Sequence, residues 1–156
     1  MRALMLGCFL SKKKVIISAC LLGDLCRYDG KIKKSQRVVE AFEGWEVILF
    51  CPEAPLFGTP RERISVVKIA SEYKIISDES NQDHTQFLQD EIAHFIAQNP
   101  TADAIVLKSK SPSCGLGTTP ILDIHKQKIA LGDGIAAKMF QKFYKNTPIR
   151  DENNLL

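Results

Sequence analysis

Five cysteines, Cys8, Cys20, Cys26, Cys51 and Cys114, are spread through this 156-residue chain. Cys20 is followed by Leu21-Leu22-Gly23, Cys51 by Pro52-Glu53, and Cys114 is preceded by Ser111-Pro112-Ser113 and followed by Gly115. No two of them have the Cys-x-x-Cys spacing from which structural zinc sites are usually built, and Cys20 and Cys26 are too far apart to replace it. Iron–sulfur clusters take thiolates scattered through a sequence. A [4Fe-4S] cluster on three thiolates leaves one iron open, able to act as a Lewis acid or to take up a substrate atom. Glu53, two residues past Cys51, and Ser111, three before Cys114, are acid–base candidates, with Asp29 a further carboxylate in the first loop. A carboxylate beside a cluster could move protons or activate water. The plainer alternatives are a small buried residue for each cysteine and a solvated loop residue or helix cap for Glu53. Cys26 is either a fourth ligand or a free thiol, and Cys8 precedes the expected fold.

The elements that must position these residues follow from hydrophobic periodicity. Val15-Ile16-Ile17 predicts a buried strand of a parallel sheet, ending at Ser18-Ala19-Cys20. After a loop through Gly30, Ser35 caps a helix over Gln36–Glu43 with Val38, Val39 and Phe42 on its apolar face. Glu46–Phe50 predicts a second buried strand, stopped by Pro52. Ile64–Ile69 and Glu72–Ile76 predict a hairpin or two edge strands. A helix from Asp83 or Thr85 to about Gln98 carries Phe87, Leu88, Ile92, Phe95 and Ile96 at helical spacing, with His94 expected as a partly buried core residue. Ala104–Leu107 predicts a third buried strand. Ile121–Ile124 and Lys128–Leu131 form a small hairpin around Lys126-Gln127, and Gly132-Asp133-Gly134 opens a helix to about Tyr144, with weak potential as an anion site. This order predicts an α/β fold of three layers, a mostly parallel, Rossmann-like sheet with helices on both faces in a single domain. Residues 1–13 are read as an extension, 14–150 as the domain and 151–156 as a mobile tail. Parallel strands end at one edge, where open α/β sheets bind ligands. Cys20, Cys51 and Cys114 each follow a strand, so all three are expected at that edge.

Composition narrows the partners. The formal net charge is +3, and no dense Lys/Arg stripe is interleaved with aromatics, so nucleic acid is possible but not indicated. Arg27, Arg61, Lys108 and Lys110 are candidates for offsetting thiolate charge or gripping an anionic substrate. No apolar run approaches the ~20 residues of a membrane span. Met1–Leu10 is apolar, but its lysines follow it rather than precede it, the wrong order for an export signal. The expected location is the cytoplasm, where an odd set of cysteines does not read as a disulfide framework. Nothing in the sequence indicates the oligomeric state.

Several motifs occur together in order: Ser18-Ala19-Cys20-Leu21-Leu22-Gly23 with Arg27-Tyr28-Asp29-Gly30; Cys51-Pro52-Glu53; Thr59-Pro60-Arg61; Leu107-Lys108 leading to Ser111-Pro112-Ser113-Cys114-Gly115; and Gly132-Asp133-Gly134. In these the sequence resembles the DUF523 family over about residues 14–150. Its characterised members are thiouracil desulfidases. The resemblance implies a [4Fe-4S] cluster on Cys20, Cys51 and Cys114, with Glu53 and Ser111 at the positions linked to catalysis. It implies conversion of 2-thiouracil to uracil, with sulfide released and no net redox change. The chain departs from the family pattern at Ala54-Pro55-Leu56-Phe57-Gly58 and at Glu62-Arg63-Ile64-Ser65, which bears on the choice of substrate more than on cluster binding. Alternative expectations are a thiolated nucleoside or tRNA base as substrate, or a non-enzymatic metal-binding or redox-sensing module.

Overall fold

A computed structural model describes residues 12–23, 34–53 and 62–155. Cys8, Cys26, Arg27, Asp29 and Arg61, and with them the expected first loop and the stretch 54–61, lie outside the described residues. Strand β1 (Lys14–Ser18) pairs in parallel with β2 (Glu46–Phe50) on one side and with β5 (Ala104–Leu107) on the other. A short β8 (Ile149–Asp151) extends the sheet beyond β5, also in parallel, giving the order β2-β1-β5-β8. Side chains alternate across a strand, so β1 serves two cores. Val15 and Ile17 pack with Val106 of β5 and with Val38 of helix α1 (Gln36–Ala41) on one face. On the other, Ile16, Ile105 and Leu107 meet α2 (Thr85–Gln98) and α3 (Ile135–Phe143). Helices therefore cover both faces of a parallel sheet, as the alternating pattern predicts.

A second four-stranded sheet completes the domain. Hairpin β3 (Ile64–Ile69)–β4 (Glu72–Ser77) and hairpin β6 (Thr119–Leu122)–β7 (Lys128–Gly132) are joined by a parallel pairing of β3 with β6. The β3–β4 turn holds Ala70 and Ser71 both at positive φ, a backbone twist that suits a two-residue hairpin loop. Ile64, Val66, Ile75 and Ile121 of this sheet enter the same core as Ile16, Leu88, Ile92 and Phe140.

Four expectations change. β2 is an edge strand rather than a fully buried one: Phe50 is inside, but Val47 and Leu49 are exposed, and a hydrophobic run alone does not separate the two cases. His94 is exposed, because the buried stripe of α2 runs through Leu88, Ile92 and Ile96 and a residue two positions from either faces away. Phe87 is exposed for the same reason of phase. The expected tail is packed: Asp151 closes β8, Glu152 is hydrogen-bonded to Ser109, and Leu155 lies against the Val15–Ile17 core.

Candidate active site

The C-terminal ends of β1, β2 and β5 carry the predicted residues. Cys20 lies in a 3-10 turn, Ala19–Leu22, that starts as β1 ends. Cys51 directly follows β2 and packs against Cys20 and Ala19. Cys114 sits in the loop after β5 and is buried, as is Cys20. No disulfide joins the three. Glu53, two residues past Cys51, is a buried carboxylate, 8% exposed. Its Oε2 accepts a hydrogen bond of 2.7 Å from the hydroxyl of Ser113, which is 0% exposed. The Cys51 segment and the Cys114 loop are thus tied together through a buried polar contact.

The loop that delivers Cys114 is held from several sides. The Ser111 hydroxyl oxygen accepts from the backbone N–H groups of Ser113 and Cys114, both at 3.1 Å. The Ser111 carbonyl accepts from the Thr119 hydroxyl at 2.6 Å and from the Gly115 N–H at 2.9 Å. Helix α3 seats its N-terminus on the same turn: Ile135 N–H donates to the Pro112 carbonyl, and Ala136 and Ala137 N–H donate to that of Ser113. These donors are already used, so the Gly132-Asp133-Gly134 helix start organises the cysteine loop rather than offering itself to a free anion. Gly134 is needed at the junction, because a Cβ there would lie 2.5 Å from the Ser113 carbonyl group.

Burial pushes the Cys114 thiol well above its ordinary pKa. Hydrogen bonding with the Ser18 hydroxyl opposes that rise, negative charge at Cys51 and Glu53 adds to it, and hydrogen bonding with Ser111 opposes it. Such a sulfur is a neutral thiol until a cation compensates its charge, which bound metal does. No three His, Cys, Asp or Glu side chains among the described residues are gathered closely enough for a single metal ion. A four-iron cluster is a larger body than an ion and takes thiolates set farther apart. Cys20, Cys51 and Cys114 supply the donor type such a cluster takes, each from a turn or loop that follows a strand of the parallel sheet.

Lys108 stands differently from expectation. Its ammonium is held by Glu152 at 3.1 Å and by the Ser109 carbonyl at 3.0 Å, so its charge is met within the protein. Its backbone N–H donates to the Ser18 hydroxyl at 2.9 Å, which ties the ends of β1 and β5 together. Lys110 is exposed. Ser18, Ser113 and Glu152 were not singled out by the sequence. The first two lie inside the cysteine motifs, which was their only signal; Glu152 had none.

An α/β domain with thiols and a buried carboxylate at the end of its parallel sheet is the class these features define. The sequence profile of the 2-thiouracil desulfurase family matches residues 15–152, and the chain belongs to that family, a family of enzymes. Protein YbbK of Bacillus subtilis (strain 168), described as uncharacterized, is 29% identical, the match covering 82% of this chain and 89% of that protein. Among solved structures, the [4Fe-4S]-dependent thiouracil desulfidase TudS (DUF523Vcz) superposes with a TM-score of 0.65 at 27% identity, covering 92% of this chain and 93% of the other. The family expected from the motifs is therefore the family found, and a purely non-enzymatic role is set aside.

Proposed function

We propose that this protein is a cytoplasmic, non-redox desulfidase that converts a thiolated pyrimidine, 2-thiouracil, to uracil and sulfide, using a [4Fe-4S] cluster on Cys20, Cys51 and Cys114. The observation that carries the proposal is the buried Glu53 carboxylate, placed between Cys51 in sequence and the Cys114 loop in space and held there by Ser113. Family membership and the likeness to TudS support it. When bound, the cluster supplies an iron without a protein ligand, a Lewis acid suited to a thiocarbonyl sulfur. The chain's own residues handle water and protons. Glu53 accepts a proton from the water that attacks the ring carbon and passes it toward the departing sulfur. Ser111 accepts two backbone N–H groups, and its hydroxyl is hydrogen-bonded with the Cys114 thiol, which sets that O–H beside the reacting group as a donor. The carbon–sulfur bond is replaced by a carbon–oxygen bond. Water provides the oxygen, both its protons end with sulfide, and no electrons are exchanged.

The test is anaerobic reconstitution followed by desulfuration assays on free base, nucleoside and tRNA. The expected result is about four irons per chain, the stoichiometry of one [4Fe-4S] cluster, with turnover of the free base. Alanine at Cys20, Cys51 or Cys114 is expected to lose the iron. Glu53→Ala is expected to keep it and to lose turnover by at least about a hundredfold. Full iron loading with no turnover of any thiolated substrate would overturn the proposal.

A further inference from the structure

We infer that Ser113 is a positioning residue for the reaction: its hydroxyl fixes the orientation of the Glu53 carboxylate. The inference rests on the reading of Glu53 as the proton-handling group and adds a residue to it. Every handle of Ser113 is engaged. Its N–H donates to the Ser111 hydroxyl at 3.1 Å. Its carbonyl accepts from Ala136 at 2.7 Å and Ala137 at 3.4 Å, the first turn of α3. Its hydroxyl donates to Glu53 Oε2 at 2.7 Å. A serine hydroxyl usually swings among rotamers and partners. Here the backbone that carries it is clamped between a helix start and a neighbouring side chain, and the residue is wholly buried. Its direction is therefore set by α3, and the carboxylate it meets inherits that direction.

The geometry has a consequence for catalysis. Glu53 belongs to the chain segment after β2, whereas Ser111 and Cys114 belong to the loop after β5. A carboxylate and a hydroxyl that act on one substrate must keep a fixed mutual distance, and a displacement of about 1 Å can cost a hundredfold in rate. Ser113 couples the two segments, since the same residue touches Glu53, the Ser111 hydroxyl and, through the chain, Cys114. Removing the hydroxyl takes this hold from the carboxylate without removing the carboxylate, which lowers the rate of the chemical step while leaving substrate affinity in place.

The experiment compares wild type, Ser113→Ala, Glu53→Ala and the double variant, each reconstituted anaerobically. Ser113→Ala is expected to retain the wild-type iron content, to lose roughly ten- to hundredfold in kcat and to keep KM within about twofold. In the Glu53→Ala background the same change is expected to cost nothing further. On the apoprotein, urea midpoints of the two single variants are expected to be non-additive in the double variant, a readout independent of turnover. A wild-type kcat for Ser113→Ala beside a dead Glu53→Ala would sink the inference alone. So would iron loss in proportion to lost turnover, or effects that multiply in the double variant. Full activity of Glu53→Ala would instead sink the reading on which it rests.

Discussion

On the proposed mechanism Ser111 has two tasks that one substitution would confuse. Its oxygen caps the turn by accepting from Ser113 and Cys114, and its hydroxyl, hydrogen-bonded with the Cys114 thiol, would serve as a donor in the reaction. Ser111→Ala leaves two N–H groups of buried residues without that acceptor, at a cost of roughly 1–3 kcal/mol. The expected outcome is a lower urea midpoint as well as lower turnover, whereas Ser111→Thr, which keeps the oxygen, holds the midpoint near wild type. An alanine variant as stable as wild type would show that the turn does not depend on this acceptor. The contrast explains which site residues were legible in advance. Cys20, Cys51, Cys114 and Glu53 could be placed because each lies just after or within a loop following a recognisable strand, and a strand end fixes position in an α/β sheet. Ser18 and Ser113 could not, because a hydroxyl's partner is decided by which distant segment the fold brings against it. Lys108 was misread for the same reason. Its partner Glu152 is 44 positions away and belongs to a segment with no periodic signal.

Between elements, two contacts hold the cysteine loop, and each makes a separate prediction. The start of α3 approaches the Ser113 peptide so closely that a methyl group at position 134 would collide with backbone, which cannot rotate away. Gly134→Ala is expected to leave far-UV circular dichroism close to wild type but to reduce iron uptake severely, because the peptide that must move is the one leading into Cys114. Normal iron content in that variant would show that the loop tolerates displacement. The second contact joins β5 to β8. Burial alone would raise the Glu152 pKa, but hydrogen bonds from the Ser109 hydroxyl and N–H, together with Lys108, outweigh it and leave the group below its ordinary 4.5. A carboxyl whose folded pKa is depressed adds stability above the unfolded value, and that stability is lost as pH falls through the folded one. Glu152→Gln is therefore expected to cost roughly 1–2 kcal/mol near neutral pH, the gap from wild type closing as pH drops below about 4.5. Urea midpoints across this range measure it, and a gap that persists in acid would assign the effect to packing. Neither contact was readable from pattern. β8 is three residues long, too short for a period, and the 112–115 turn docks on α3 through backbone carbonyls, which all residues share. The hairpins, by contrast, were visible, since alternation and turn position are local properties of the chain.

At the scale of the whole molecule, the parallel sheet that carries the cysteines and the hairpin sheet beside it are bound by one core. The pattern along the chain indicated a single sheet plus two hairpins. That the hairpins join through β3 and β6 into a sheet of their own depends on a pairing between residues more than fifty positions apart. Phe140 of α3 sits where the layers meet. Its ring lies 4.9 Å from Phe50 of β2, 6.1 Å from Phe95 of α2 and 5.3 Å from Tyr144, and the same cluster takes in Val66, Ile75 and Ile121 from the second sheet. Tyr144 in turn donates to the Asn99 carbonyl at 2.5 Å, tying the end of α3 to the end of α2. A side chain of that size, wholly buried, leaves a cavity that aromatic neighbours refill poorly. Phe140→Ala is expected to lower stability by roughly 3–5 kcal/mol. Because both sheets draw on the cluster, near- and far-UV circular dichroism should move together to a lower urea midpoint in one transition. Two separated transitions would mean that the hairpin sheet folds apart from the parallel one. A single transition would mean that the parallel sheet and the hairpin sheet unfold as one cooperative unit.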